Sequence, residues 1–231
     1  MGNYINNFDD VMDFLDNLTE GIHWDTFYEL RDRPANFILQ NELPDENLVE
    51  LFNNGLSISS AIEFGCGEGR NAIFMAKQGV SVTGIDISNK AIQNAQTIAS
   101  RKGVRVDFRC QDAIKEPITG CYDLAYDSGM LHHIAPHRRI TYIKLLKSIL
   151  KNDGYFALNC FAWGDECADE IDDWEFYQQR RRFGVAFTKE RLISLFSPHF
   201  EVINIRKCRS GIPGTIQGLD FMWTCLFKNI S

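Results

Sequence analysis

The stretch Glu63-Phe64-Gly65-Cys66-Gly67-Glu68-Gly69-Arg70 decides the fold. Residues 58–64 read as a strand, and residues 70–78 read as a helix. Three alternating glycines between them are more than a tight turn needs. They let the main chain turn sharply and bring a ligand close with no side chain in the way. The helix start beyond them offers free N–H groups and the positive end of a dipole. A dinucleotide fingerprint, GxGxxG, would place its third glycine at position 70, where Arg70 stands. The spacing is instead GxGxG, preceded by the acid Glu63, which weakens a hydride-transfer reading.

Downstream, strand and helix alternate. Residues 80–87 (VSVTGIDI) read as a strand, and Ser88 as the N-cap of a helix with Ile92, Ala95 and Ala99 on one face. Strands follow at 104–110 and 122–127. A helix opens at Pro136, with Ile140, Ile143, Leu146 and Leu150 as its expected buried stripe, and a strand follows at 155–163. The alternation pauses over 164–187 and resumes with a helix at 188–196. The last two strands, 199–207 and 218–227, are joined by CRSGIPGTIQG, which has no helical period, and so predict an antiparallel pair. Together these elements predict a mostly parallel sheet covered by helices on both faces. Asp86, at the carboxyl end of its strand, stands close to the ~20 residues beyond the first glycine expected of an acid that holds a ribose diol. Asp112 lies just past the next strand out, where an adenine amino group would meet it.

Upstream, residues 1–55 differ. Phe8, Val11, Met12, Leu15 and Leu18 form one apolar stripe on an acidic helix that Gly21 ends. The aromatic segment HWDTFYELRDRP follows and is broken by Pro34. A short helix after Pro44 runs through Leu48, Val49, Leu51 and Phe52.

The chain has 231 residues, 45% of them hydrophobic, enough for a substantial core and against global disorder. Lys and Arg number 24 against 31 Asp and Glu, a net charge of −7, which argues against a protein held mainly to nucleic-acid phosphates. No apolar run reaches the ~18–20 residues that span a bilayer. The opening MGNYINNFDDVMDFLDNL lacks the basic and apolar regions of a secretory signal, so a cytoplasmic chain is expected, with no membrane partner. Seven cysteines with no CxxC pair predict reduced thiols and no zinc or other metal site.

EFGCGEGR, GIDIS, RCQDA and YDLAYDSGMLHHI together resemble motifs I to IV of the class I S-adenosylmethionine-dependent methyltransferases. The resemblance covers about 58–227. CGEGRNAIFMAKQGVSVTGIDIS and the preceding WDTFYELRDRP are similar to the small-molecule methyltransferases of the tellurite-resistance and thiopurine-methyltransferase type. The resemblance implies an α/β Rossmann-like, doubly wound sheet of seven strands, mostly parallel with an antiparallel strand near the C-terminus. It also implies an N-terminal helical cap (1–55) on a cofactor domain (56–231), with 164–187 as a lid. Gly65, Cys66, Gly67 and Gly69 would surround the methionine part of S-adenosylmethionine, and Glu63 would bond its amino group. Arg70 would pair with its carboxylate or cap the turn. Asp86 would take the ribose hydroxyls and Ile87 would pack on adenine, with Asp112 and Ala113 at the adenine edge. Asp127 would lie near the sulfonium and the substrate entrance. Trp24 and Tyr28 would fold over the cofactor, with Trp163 near the acceptor.

His132 and His133 follow strand four, where the family places substrate, and one of them is a candidate general base. Arg180-Arg181-Arg182 reads as a solvated loop. The expected activity is methyl transfer to O, N or S of a small molecule, leaving S-adenosylhomocysteine. The alternatives are a non-catalytic S-adenosylmethionine-binding regulator and a nicotinamide-dependent oxidoreductase.

Overall fold

Gly65 follows directly on an interior strand of a seven-stranded sheet. The structure, a computed structural model, describes residues 5–19, 22–30, 42–164, 168–179 and 184–230. Gly21, Pro34, Cys167 and the Arg180–Arg182 run lie outside these residues. In chain order the elements are α1 (Phe8–Leu18), α2 (Trp24–Glu29), α3 (Glu46–Asn53), β1 (Ser60–Phe64), α4 (Arg70–Lys77), β2 (Ser81–Asp86), α5 (Asn89–Arg101) and β3 (Asp107–Cys110). There follow β4 (Tyr122–Ser128), a 3-10 turn (Leu131–His133), α6 (Pro136–Ile149), β5 (Leu150–Phe161), α7 (Asp173–Gln179), α8 (Lys189–Phe196), β6 (Phe200–Lys207) and β7 (Met222–Asn229).

The strand order is β3-β2-β1-β4-β5-β7-β6. β7 runs antiparallel to both its neighbours, and the other pairs are parallel. The chain winds outward from β1 to β3 and then returns to β4 on the other side of β1. The ends of β1 and β4 are therefore the switch point where open α/β sheets take ligands. Successive β1 residues bury on opposite faces. Ile62 and Phe64 join a core with Tyr142, Leu146, Phe156, Phe196 and Phe227, while Ala61 joins Ala72, Ile92, Ala95, Leu124 and Tyr126.

Ser88 caps α5 by accepting the Ala91 N–H at 3.1 Å. The expected stripe on α6 is corrected in part. Ile140 is 61% exposed, while Arg139, Tyr142, Ile143, Leu146 and Ile149 face inward. The strand expected from 155 begins earlier, at Leu150, because a register shift between Tyr122 and Leu124 absorbs the intervening turn. α1 spans the expected stripe, yet of that stripe only Met12 is buried, and Phe8 is 72% exposed. α1 is held to α6 by charge, with Asp16 accepting from Arg138 at 2.6 Å and meeting His137 Nε2 at 2.8 Å.

Candidate active site at the glycine-rich loop

Gly65, Gly67 and Gly69 all have left-handed backbone, at φ +59°, +54° and +80°. Two of them also have no room for a side chain. A Cβ on Gly67 would stand 2.7 Å from the Tyr28 hydroxyl, and one on Gly69 2.6 Å from the Phe108 ring. The loop is pinned to β2 by Cys66 N–H to the Ile85 carbonyl at 2.9 Å, and by Gly67 N–H to Asp86 Oδ2 at 2.8 Å.

A cleft opens between this loop and the upstream segment. It is lined by Glu63, Gly65, Gly67, Arg70, Ser128 and Tyr28, among others. Glu63 is buried at its rim, with Oε2 accepting Ala72 N–H at 2.8 Å and Oε1 accepting from Asn71 at 3.2 Å. Burial pushes its carboxyl up to about 8, against the opposing pull of Arg70 and Asn71. Arg70 pairs with Asp45 at 2.7 Å and donates to the Leu43 carbonyl, Asn71 and Ser128. Asp45 is wholly buried, yet the Arg70 charge and the Ser128 and Tyr126 hydroxyls hold its carboxyl below the usual range.

Asp86, Ile87, Asp112 and Ala113 stand at the ends of β2 and β3, outside the lining of this cleft. Asp86 is nearly buried, and burial raises its carboxyl against two backbone donors, Ser88 and Gly67, each on a different oxygen at 2.8 Å. Each oxygen keeps a lone pair for a further donor. Beside it, Asp25 of α2 accepts from the Ser88 hydroxyl at 2.6 Å and from Lys90 N–H at 3.1 Å, which docks α2 on the start of α5. Ile87 is exposed and Ala113 buried. Asp112 Oδ1 accepts from the N–H groups of Ile114 and Lys115, closing the turn after β3.

Asp127 does not open on the cleft. It is fully buried, accepting Met130 N–H at 2.7 Å, Leu131 N–H at 3.0 Å and the Tyr142 hydroxyl at 2.9 Å. Burial pushes it up to about 7. It therefore shapes the 3-10 turn that carries the histidines. His132 is buried, stacked on Phe161 at 3.7 Å between ring centroids, and its Nδ1 accepts Phe161 N–H at 3.3 Å. His133 is partly buried and meets the Trp24 ring edge-on at 4.9 Å. Burial drops His133 to about 4 and holds His132 well below the usual imidazole range, so both rings are neutral near pH 7. Trp163, half-exposed, follows β5 and donates its backbone N–H to Phe187.

Residues 61–154, which hold the loop, the cleft acids and the histidine turn, match the methyltransferase-domain family. That stretch is a methyltransferase domain, set on a sheet whose fold solved methyltransferases share. A ubiquinone biosynthesis O-methyltransferase of Nitrosomonas europaea is 36% identical over 90 residues, which cover 38% of each chain. An uncharacterized methyltransferase of Schizosaccharomyces pombe is 27% identical over 150 residues, covering 64% of this chain and 98% of that one. In fold, the chain is similar to the 1,6-didemethyltoxoflavin-N1-methyltransferase of Burkholderia thailandensis, solved with its acceptor and S-adenosylhomocysteine. That likeness has a TM-score of 0.66 at 18% identity, over 100% of this chain and 93% of that one.

S-adenosylmethionine is the methyl donor this family implies, and the methyltransferase domain has the groups to hold it. A buried carboxyl (Glu63) suits an ammonium, a guanidinium (Arg70) a carboxylate, and Asp86 with its spare lone pairs a diol. Asp45, Asn71 and Ser128 escaped sequence reasoning. Asn71 and Ser128 adjoin motif residues, and that adjacency was the available signal. Asp45, next to Pro44, carries no local sign of its role at the start of a short helix. Among the described residues no group of three or more His, Cys, Asp or Glu is placed to hold a metal, and no helix is long and apolar enough to cross a membrane.

Proposed function

We propose that the chain transfers a methyl group from S-adenosylmethionine to an O, N or S atom of a small-molecule acceptor. The observation that carries the reading is the cleft at the β1–α4 junction, where Glu63, Arg70 and three left-handed glycines meet at the sheet's switch point. When bound, the donor supplies a methyl group already activated by a sulfonium. The protein's part is then alignment and exclusion of water. Glu63 and Arg70 hold the amino-acid end and Asp86 the ribose. Tyr28 and Trp24 of α2 close the site from above, and the 3-10 turn braced by Asp127 sets the position of His133 beside Trp24. The net charge of −7 favours a small acceptor over a nucleic acid.

Against a nicotinamide oxidoreductase stand Arg70 in the third glycine position and the antiparallel β7. A donor-binding regulator without turnover is separated by experiment. Calorimetry should show saturable binding of S-adenosylhomocysteine and none of NAD. Transfer of labelled methyl to a panel of hydroxyl, amine and thiol metabolites should give product. Binding without any transfer would favour the regulator, and NAD binding alone would favour the oxidoreductase.

A further inference from the structure

Asp45 occupies the N-cap position of α3, yet its side chain makes no hydrogen bond to that helix. An aspartate there ordinarily accepts a backbone N–H of its own first turn. This one is turned away into the domain. Its Oδ1 lies 2.7 Å from Arg70, while Oδ2 accepts from Asn71 at 3.0 Å and from the Tyr126 hydroxyl at 2.8 Å. Its own N–H is accepted by Asn71 Oδ1 at 3.0 Å, and Asn71 reaches on to Glu63. A continuous buried chain thus runs Glu63–Asn71–Asp45–Arg70, joining the two groups that face the cleft.

The guanidinium is fixed on both terminal nitrogens. One donates to the Leu43 carbonyl and Asn71; the other donates to Ser128 and forms the ion pair with Asp45. The Nε–H has no partner among the described residues, and 14% of the side chain remains open. Buried ion pairs contribute little net stability, since the cost of desolvating two charges offsets their attraction. A pair this fully buried is better explained by what it orients.

We infer that Asp45 is a positioning residue: it holds Arg70 across the cleft so that the guanidinium meets the carboxylate at the amino-acid end of the methyl donor. The inference rests on the donor reading above. It makes the upstream segment 42–47 part of the donor site, outside the 61–154 stretch that matches the family.

The test compares two ligands on the full chain by calorimetry. S-adenosylhomocysteine has the amino-acid end; 5′-methylthioadenosine has the same adenosine and thioether without it. Asp45→Asn should weaken S-adenosylhomocysteine at least ~10-fold, the scale of a hydrogen bond to a charged group. It should leave 5′-methylthioadenosine within about twofold. In an Arg70→Met background, adding Asp45→Asn should change neither affinity. Tyr126→Phe, which removes one donor from Asp45 and keeps its charge, should show the same selectivity at a few-fold, and it serves if Asp45→Asn fails to fold. Equal loss for both ligands, no loss, or tighter S-adenosylhomocysteine binding would overturn the positioning role. Wild-type protein that binds 5′-methylthioadenosine as tightly as S-adenosylhomocysteine would overturn it too. Wild-type protein that binds neither ligand would remove the donor reading, and this inference with it.

Discussion

The ends of β1 and β4 lie side by side, with Phe64 paired to Asp127 and Glu63 to Tyr126, and each strand places a buried carboxyl there. Burial raises both, Glu63 to about 8 and Asp127 to about 7. Their surroundings differ. Glu63 has one oxygen on a backbone N–H and the other on the Asn71 amide, and it lines the cleft. Asp127 is enclosed by Met130, Leu131 and Tyr142. Two acids with similar burial and shifts in the same direction thus have different work. One lines a cavity, and the other completes the protein's own hydrogen bonds. A raised carboxyl is evidence of function only when it also opens on a cavity.

The largest expected effect tests the β4 side. Asp127→Ala strands two N–H groups and a hydroxyl, each costing about 1–3 kcal/mol when buried without a partner. A loss of roughly 3–5 kcal/mol in urea unfolding is expected. Affinity for S-adenosylhomocysteine, measured where the variant is folded, should stay within about threefold. A stable variant that no longer binds would place Asp127 in the donor site and erase the contrast.

Glu63→Gln should do the reverse. Stability should hold or rise, because a carboxyl that burial keeps protonated is replaced by a neutral isostere. S-adenosylhomocysteine binding should fall by about 1.5–3 kcal/mol, or ~10–150-fold. Asp86→Asn should rank next, at about 1–2 kcal/mol of binding, since the amide keeps one acceptor and loses the other. If Asp86→Asn exceeds Glu63→Gln, the ribose end dominates and the contrast should be drawn between β1 and β2.

What could be read beforehand follows the same division. The glycines, Glu63 and the Ser88 cap were legible because each meets a local backbone demand: a left-handed turn, a strand end, a helix start. The inward face of α6 was not. Ile140 looked like core, but Arg139 reaches the Ile134 carbonyl and Asp173, and Tyr142 reaches Asp127. With Arg139 Nε and Nη1 and the Tyr142 hydroxyl bonded, the two long side chains bury their apolar stems, and Ile140 turns outward. Asp45 was illegible because its partners Arg70, Asn71 and Tyr126 are distant in sequence. The solvent exposure of Phe8 on α1 has a similar origin. The stripe specifies a helix, while Asp16, Arg138 and His137 specify where it docks.

The pH dependences carry the comparison further. Below about 8 the free protein holds a proton on Glu63, whereas the ligand's ammonium favours the ionised carboxylate. Binding then releases that proton, so affinity should rise with pH toward about 8, by up to ~10-fold per unit. Glu63→Gln should flatten the profile. Stability without ligand should move the other way. The unfolded chain ionises both acids in the ordinary carboxyl range, while the folded chain keeps them protonated to about 7 and about 8. The unfolded state thus binds fewer protons in this window, and stability contributed by these groups falls as pH rises through it. Asp127→Asn should remove the part that ends near 7, and Glu63→Gln the part that ends near 8.

The smallest effect is expected at the histidines that the braced turn presents. A general base is most effective with a pKa near the working pH. Burial holds His133 at about 4 and His132 well below the usual imidazole range, which makes each a weak base in this arrangement. His132 is further committed to Phe161, by stacking and by its Nδ1. His133→Phe keeps an aromatic edge against Trp24 and removes both nitrogens. Once an acceptor is found, kcat of this variant should stay within about threefold of wild type at neutral pH, and catalysis would rest on alignment. The kcat profile should show no step near 4 that the variant abolishes. A drop of ~10²–10⁴-fold, with S-adenosylhomocysteine affinity intact, would be the signature of a lost base. His133 would then have to gain basicity when donor and acceptor fill the site, and the β4 end would join the β1 end as chemistry through the turn that Asp127 holds.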